Sequence, residues 1–400
     1  MAGKRGRVLL VTTRVHESLA RRVAELLSST KYSVQVGVVD VAFPSMITER
    51  EICGLGVEDA EDLTIIVPGG SRLSGQPGCY KKARVVKGTM HLKALVDLAR
   101  TLGLERLRPD KPGELAVGSD WWLVVEEALE ETRRDYYKSW CVESFCPPSN
   151  PPPILVASDL YHSPREDTVI EAERRISEGA DLIVLGYGRD KSGYLAVVKE
   201  LVDKGFPTAV DAPIETMVGG LEAGALIGFS LDINTLDKVP RRLRSEKAFV
   251  ILPSSLGSYE SRVESLLKTL KRARDSGYEK LVVDTVAQPL LSPGAMDSFL
   301  AARVLKKGYR VREPLMLGIN NIVELSDSDS QGSLPVLFAL AAEAGVSILM
   351  VSEESWKTRG ATLEARIAAD MVSLALRWGS TIKDLGVNLL IHKEKRPDEP

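Results

Sequence analysis

A chain of 400 residues exceeds the usual single-domain size, so two domains are expected, and 44% apolar with 27% charged residues is enough to bury an ordinary core. The formal charge of −3 leaves no basic footprint for nucleic acid, and no apolar run approaches the ~18 residues of a membrane span. Neither a nucleic acid nor a membrane is an expected partner. The basic opening Met-Ala-Gly-Lys-Arg-Gly-Arg runs straight into a strand-like stretch without a cleavage pattern, so a cytoplasmic protein is expected. Four cysteines do not make a disulfide scaffold. Cys141 and Cys146 are close enough to bridge or to join a metal site, but none of the four histidines stands at ligand spacing to them.

The first part of the chain alternates strand and helix signals. Val8–Thr13, Val34–Val41, Leu63–Gly70 (ending in glycines) and Ala83–Gly88 are β-branched and apolar, and they predict strands. Ser18–Leu27, Glu49–Leu55 and His91–Thr101 carry helical spacing between and after them. The alternation predicts a small, doubly wound parallel sheet. Gly69-Gly70, at the end of the third strand, fits a phosphate turn or a plain tight turn, and it is no G-x-G-x-x-G fingerprint. From Ser119 to Ser144 a helix is expected, with Trp121, Trp122, Tyr136, Tyr137 and Trp140 anchoring it. Pro147-Pro148-Ser149-Asn150-Pro151-Pro152-Pro153 can continue neither helix nor central strand and reads as a domain boundary.

Eight strand candidates follow: Ile154–Ser158, Leu182–Leu185, Thr208–Asp211, Leu226–Asp232, Ala248–Leu252, Lys280–Asp284, Pro314–Ile319 and Ser347–Val351. Amphipathic stretches such as Val169–Glu178, Tyr194–Asp203, Glu260–Ser276 and Leu334–Ala344 separate them, several ending in a glycine cap. Eight β/α units in about 230 residues is the arithmetic of a TIM barrel. Val387–His392 reads as one further strand.

In such a barrel the active site lies at the carboxyl ends of the strands. There the chain supplies Ser158-Asp159, Gly186 to Arg189, Asp211, Asp232 with Asn234, Pro253-Ser254-Ser255, Asp284, Asn320-Asn321 and Glu353. The run Pro314–Ser330 is the most telling, because an apolar strand empties abruptly into amides, carboxylates and hydroxyls. Asp211, Asp232 and Asp284 each close an otherwise apolar strand. Such a carboxylate needs donors, from a ligand bearing adjacent N–H groups or from the helix it caps. No G-x-S-x-G, H-E-x-x-H or Walker A motif occurs, and no Cys–His pair stands out, so positioning and electrostatics are the expected means of catalysis.

The order of these strand ends resembles the pterin-binding barrels, in particular the dihydropteroate synthase-related proteins of archaea, over nearly the whole chain. Val210-Asp211, Leu281–Pro289, Leu317–Ser330 and Lys357-Thr358-Arg359-Gly360 carry the resemblance, with Val85–His91 in the first part. It implies an α/β chain with a smaller Rossmann-like doubly wound domain (1–114), a helical connector and Pro-rich linker (115–152), a (β/α)8 TIM barrel of dihydropteroate synthase type (153–384) and a C-terminal strand and tail (385–400). Asp284 and Asp211 match the family's pterin-binding aspartates after the sixth and third strands. Asp232, with Asn234 nearby, stands where the family has an asparagine, and Asn320-Asn321 replaces its Ser-Arg-Lys motif. Lys357 or Arg359 takes the place of the basic residue after the eighth strand, and the first-strand loop reads Ser158-Asp159-Leu160-Tyr161-His162.

By this resemblance the ligand is a pterin held by Asp211, Asp232, Asn234, Asp284, Asn320, Asn321, Asp327 and Glu353. The implied reaction is attack of an arylamine on the pterin methylene carbon as diphosphate leaves, with Lys357 and Arg359 catalytic, in synthesis of a folate or tetrahydromethanopterin-type cofactor. Mg²⁺ is a candidate cofactor and a homodimer a candidate assembly. The alternatives are a methyl-pterin module of the methyltransferase kind, or an inactive barrel kept for binding or regulation.

Overall fold

The computed structural model describes residues 6–29, 31–162, 165–187 and 191–390. The chain divides into two compact units, Met1–Glu131 with Leu374–Val387, and Thr132–Ser373 with Asn388–Pro400. The expected connector 115–152 is shared between them. Among the described residues no helix is long and apolar enough to cross a membrane.

The first unit holds four parallel strands, β1 (Gly6–Thr13), β2 (Tyr32–Val39), β3 (Leu63–Val67) and β4 (Arg84–Lys87), in the order β2-β1-β3-β4. All four expected strands are present. The helix Glu17–Ser28 buries Ala20, Val23, Ala24 and Leu27, the stripe its spacing predicted. A β-carbon on Gly69 would stand 2.7 Å from the backbone of Gly88 and Thr89, so only glycine lets the loops after β3 and β4 meet. Buried Asp97 accepts from Arg377 Nε at 3.0 Å and Trp378 Nε1 at 2.8 Å. A disulfide joins Cys53 to Cys79, a pairing that nothing in their spacing predicts.

The second unit is a closed parallel barrel, and all eight expected strands form it. They are β5 (Leu155–Tyr161), β6 (Leu182–Gly186), β7 (Thr208–Asp211), β8 (Ile227–Leu231), β9 (Ala248–Ile251), β10 (Lys280–Asp284), β11 (Leu315–Gly318) and β12 (Ile348–Ser352). Helices run between them, and Gly345 (φ 92°) caps the helix Ser330–Ala344 in the left-handed region.

The long helix expected over Ser119–Ser144 stops at Arg134. Beyond it the chain makes a tight antiparallel turn, with Val142 and Phe145 paired and Cys141 bridged to Cys146. Trp140, Val142 and Phe145 pack into the barrel core, so burial of these apolar groups overrides helix propensity. The proline-rich segment likewise is no open linker. Pro147, Pro148 and Ser149 are buried, and Ser347 Oγ donates to the Pro148 carbonyl at 2.7 Å. Residues 387–390 carry no strand, and the rest of that expected element lies outside the described residues.

Lys306 secures the segment. Its buried ammonium donates to the carbonyls of Ser149, Val311 and Glu313. Lys306→Met leaves three acceptors unpaired, and an expected loss of about 2–4 kcal/mol should appear as a lower urea midpoint with an unchanged slope.

Candidate functional site

All eight barrel strands contribute to one apolar cluster that includes Ala157, Val184, Ala209, Val282 and Met316. Side chains on a strand alternate, so the residues two positions further on face the same interior, one layer nearer the carboxyl end. Those residues are Asp159 on β5, Gly186 on β6, Asp211 on β7, Asp284 on β10 and Gly318 on β11. Three carboxyls and two glycines thus share this layer with apolar side chains, Met350 on β12 and Leu252 after β9. A β-carbon on Gly186 would sit 3.8 Å from Asp159 Oδ1, and one on Gly318 would be forced to 2.9 Å from Asn320 Oδ1. Tyr161 Cδ2, at 3.5 Å from the first of these β-carbon positions, and Met350 Cε, at 3.1 Å from the second, border them as well.

Local irregularities hold two of these carboxyls. Strand β8 carries a register shift between Gly228 and Leu231, and Ser230 there has φ 70°. The bulge turns the Ser230 hydroxyl onto Asp211 Oδ1 at 2.9 Å. After β10 the β-branched Val286 is held at φ 58°, a costly conformation, and its N–H donates to Asp284 Oδ1 at 2.7 Å. Fully buried Arg262 fixes that turn from behind, donating to the carbonyls of Thr285 at 2.9 Å and Val286 at 2.8 Å. Ser230→Ala is expected to raise the midpoint of Asp211 and weaken an N–H-bearing ligand by about 1 kcal/mol, checked by carboxyl ¹³C titration and calorimetry.

Electrostatics mark this layer. Asp284 is 7% exposed, and burial, with the nearby charge of Asp211 adding, pushes its carboxyl up to about 7 despite the Val286 N–H and Arg262. Burial also pushes Asp159 up to about 7, with Asp211 and Glu354 adding and Arg175 opposing. Asp211 is raised as well, by burial, against the hydrogen bond from Ser230. Asp159 and Asp284 each face the charge of Asp211, so the last protons of the layer are held to near neutrality. Tyr187, after β6, meets Tyr194 edge-on at 5.3 Å, and Tyr194 meets His162 at 5.8 Å, which fixes the aromatic wall beside them.

The other expected residues are placed differently. Asp232 closes a turn on itself, accepting from Asn234 N and Thr235 N, each at 3.0 Å, so it and Asn234 form a cap. Burial would raise Asp232, but the donors of Thr235 and Asn234 outweigh it and lower its pKa. Glu353 accepts from Arg174 at 2.7 Å, Gly360 N at 2.9 Å and Thr362 N at 3.1 Å. Burial opposes these bonds, yet they hold Glu353 at about 2. It ties β12 to the helix Arg165–Ser177 and the helix Ala361–Trp378.

Lys357 Nζ donates to the carbonyls of Val323, Glu324 and Ser326, bracing the loop after β11. Arg359 is exposed, with its guanidinium 5.4 Å from the centre of the Trp356 ring. Asp327 is exposed on the loop between β11 and the helix Ser330–Ala344. Asn321 Nδ2 donates to the Ala287 carbonyl at 3.0 Å, whereas Asn320 Oδ1 is buried without a partner beside Gly318. That orphan acceptor suits a ligand N–H. Mg²⁺ finds no ready cage, because among the described residues no group of three or more His, Cys, Asp or Glu side chains is arranged to hold a metal. No step below is routed through one.

No family model matches the chain. It is similar to an uncharacterised protein of Methanocaldococcus jannaschii, at 32% identity over 269 residues, covering 62% of this chain and 50% of that protein. The chain therefore spans about half the length of the curated relative it matches. Among solved structures it is similar to the dihydropteroate synthase of Thermus thermophilus, with TM-score 0.45 and 20% identity over 57% of this chain and 95% of that one. The dihydropteroate synthase of Burkholderia cenocepacia, complexed with 7,8-dihydropteroate, aligns with TM-score 0.43 and 19% identity over 56% and 92%. Similarity at this level carries no argument about chemistry.

Proposed function

We propose that the barrel binds a pterin, with the aminopyrimidinone edge of the ring on Asp284 and Asp211. The observation that carries this reading is the layer of three desolvated carboxyls, Asp159, Asp211 and Asp284, at the strand ends. A flat ring edge with adjacent N–H donors relieves their mutual repulsion and repays part of their desolvation. The partnerless Asn320 acceptor supplies one more polar contact.

The chemistry proposed is transfer of the pterin methylene group to an arylamine, a step in synthesis of a folate or methanopterin-type cofactor. The amine nitrogen forms a bond to the methylene carbon, the bond from that carbon to the diphosphate oxygen breaks, and the amine loses a proton. The cation for the leaving diphosphate is then Arg359, since the ammonium of Lys357 is spent on backbone carbonyls. That same commitment of Lys357 favours a second reading, in which the barrel binds a pterin or methyl-pterin without condensing it.

A thermal-shift screen with pterins, pterin diphosphates and methyl-pterins, followed by an assay for arylamine-dependent pyrophosphate release, tests both. Stabilisation by pterins together with pyrophosphate release supports transfer. Stabilisation without release supports the binding module. No stabilisation by any pterin removes both.

A further inference from the structure

Among the described residues, hydrogen bonds reach two of the three interior carboxyls and not the third. Asp211 takes the Ser230 hydroxyl at 2.9 Å and Asp284 takes the Val286 N–H at 2.7 Å. Among the described residues no hydrogen bond reaches the carboxyl oxygens of Asp159. The charged groups around it are Asp211 on β7, Glu354 after β12 and Arg175 on the helix Arg165–Ser177. Arg175 spends its NH1 on Ser158 Oγ at 3.0 Å and on the backbone carbonyl of Asp159. Asp159 Oδ1 lies 3.8 Å from where a β-carbon on Gly186 would stand, and Gly186 is the register partner of Asp211, so the two carboxyls flank that strand end.

When acids crowd one buried layer, the last proton is held by the anion with the fewest donors. We propose that Asp159 is the protonated member of the trio and gives its O–H to the ligand, while Asp211 and Asp284 act as acceptors. The ligand class follows from that division. It presents adjacent N–H donors toward β7 and β10, and a lone-pair atom, a ring nitrogen or a carbonyl oxygen, toward β5. The inference rests on the ring-edge reading above and adds which carboxyl is the acid.

Its consequence is a bell-shaped dependence of affinity on pH. The acid limb is ionisation of Asp284 and Asp211 to accept the N–H groups. The alkaline limb is loss of the Asp159 proton.

The test uses the full chain with ¹³C-carboxyl aspartate, titrated without ligand and then with 6-hydroxymethylpterin from about pH 5.5 to 8.5. Asp159 is expected to be the last of the three to ionise, near neutrality. Wild-type affinity is expected to fall above that midpoint by up to about tenfold per pH unit, the limit for one proton. Asp159→Asn keeps a donor but cannot ionise, so its alkaline limb is expected to vanish. Asp159→Ala is expected to bind about tenfold more weakly at pH 7, the scale of one lost hydrogen bond. Ionisation of the ring itself is common to all the proteins. The proposal is overturned if Asp159 ionises before Asp211 and Asp284, or if Asp159→Asn keeps the alkaline fall. Should no pterin bind the wild type, the ring-edge reading fails, and the ligand-free titration still decides which carboxyl is the acid.

Discussion

Replacing Asp284 by Asn is expected to weaken pterin binding at pH 7 by about 1.5–3 kcal/mol, the scale of a charged hydrogen bond lost from a buried site. An ionised Asp284 offers acceptors to two adjacent ring N–H groups. An amide in its place offers one acceptor and turns an N–H toward the other donor. The fold is expected to survive, because Asp284 ends β10 at the open face and its carboxyl is held within the protein by the Val286 N–H. Calorimetry with 6-hydroxymethylpterin measures the loss. Unchanged affinity in a folded Asp284→Asn protein removes Asp284 from the site.

The second large effect is on stability without ligand. Asp159 and Asp284 have folded-state values near 7, above the unfolded range near 4, so between these limits the folded protein binds more protons than the unfolded chain. Their contribution is therefore fully present below about pH 4 and is lost as pH rises through 7. The steepest slope is about 1.4 kcal/mol per pH unit for each proton taken up. Glu353, held at about 2, acts in the opposite direction, and its contribution is lost as pH falls below the usual carboxylate range. Urea unfolding from pH 5 to 8 is expected to show wild-type stability declining with pH. The decline should be shallower in Asp284→Asn and in Asp159→Asn, with both variants gaining on the wild type at pH 8. A wild-type profile that is flat, or that rises over this range, contradicts the burial assigned to these carboxyls.

How much of this was legible in the sequence depended on how local each signal is. The eight barrel strands were readable because β-branched runs such as Lys280–Asp284 stop abruptly at a polar residue, and the structure keeps those stops. Asp211 and Asp284 were readable as strand-end carboxylates for the same reason. Asp232 gave the same signal, and what separates it is the adjacent Asn234 and Thr235, whose N–H groups satisfy it locally. That turn chemistry was available in the sequence and was outweighed by the strand pattern.

Ser230 was not readable, since its aim depends on a bulge within β8 and on a partner on the preceding strand. Glu353 and Lys357 looked free because their partners, Arg174 and the carbonyls of 323, 324 and 326, are assigned only by closure of the barrel. The helix expected through Ser144 failed because Trp140 and Phe145 find burial in the barrel core. Asp159 was visible as a strand end, but its standing as the unsupported acid needed the hydrogen bonds of its neighbours.

A crystal structure of the full chain with 6-hydroxymethylpterin bound tests the central claim most directly. The ring is expected in the layer lined by Asp159, Gly186, Asp211, Asp284 and Gly318, with its N–H edge within hydrogen-bond distance of Asp284 and Asp211 and a lone-pair atom facing Asp159. A ring bound elsewhere on the chain, or seated in the barrel with its N–H edge turned away from both Asp211 and Asp284, would contradict it.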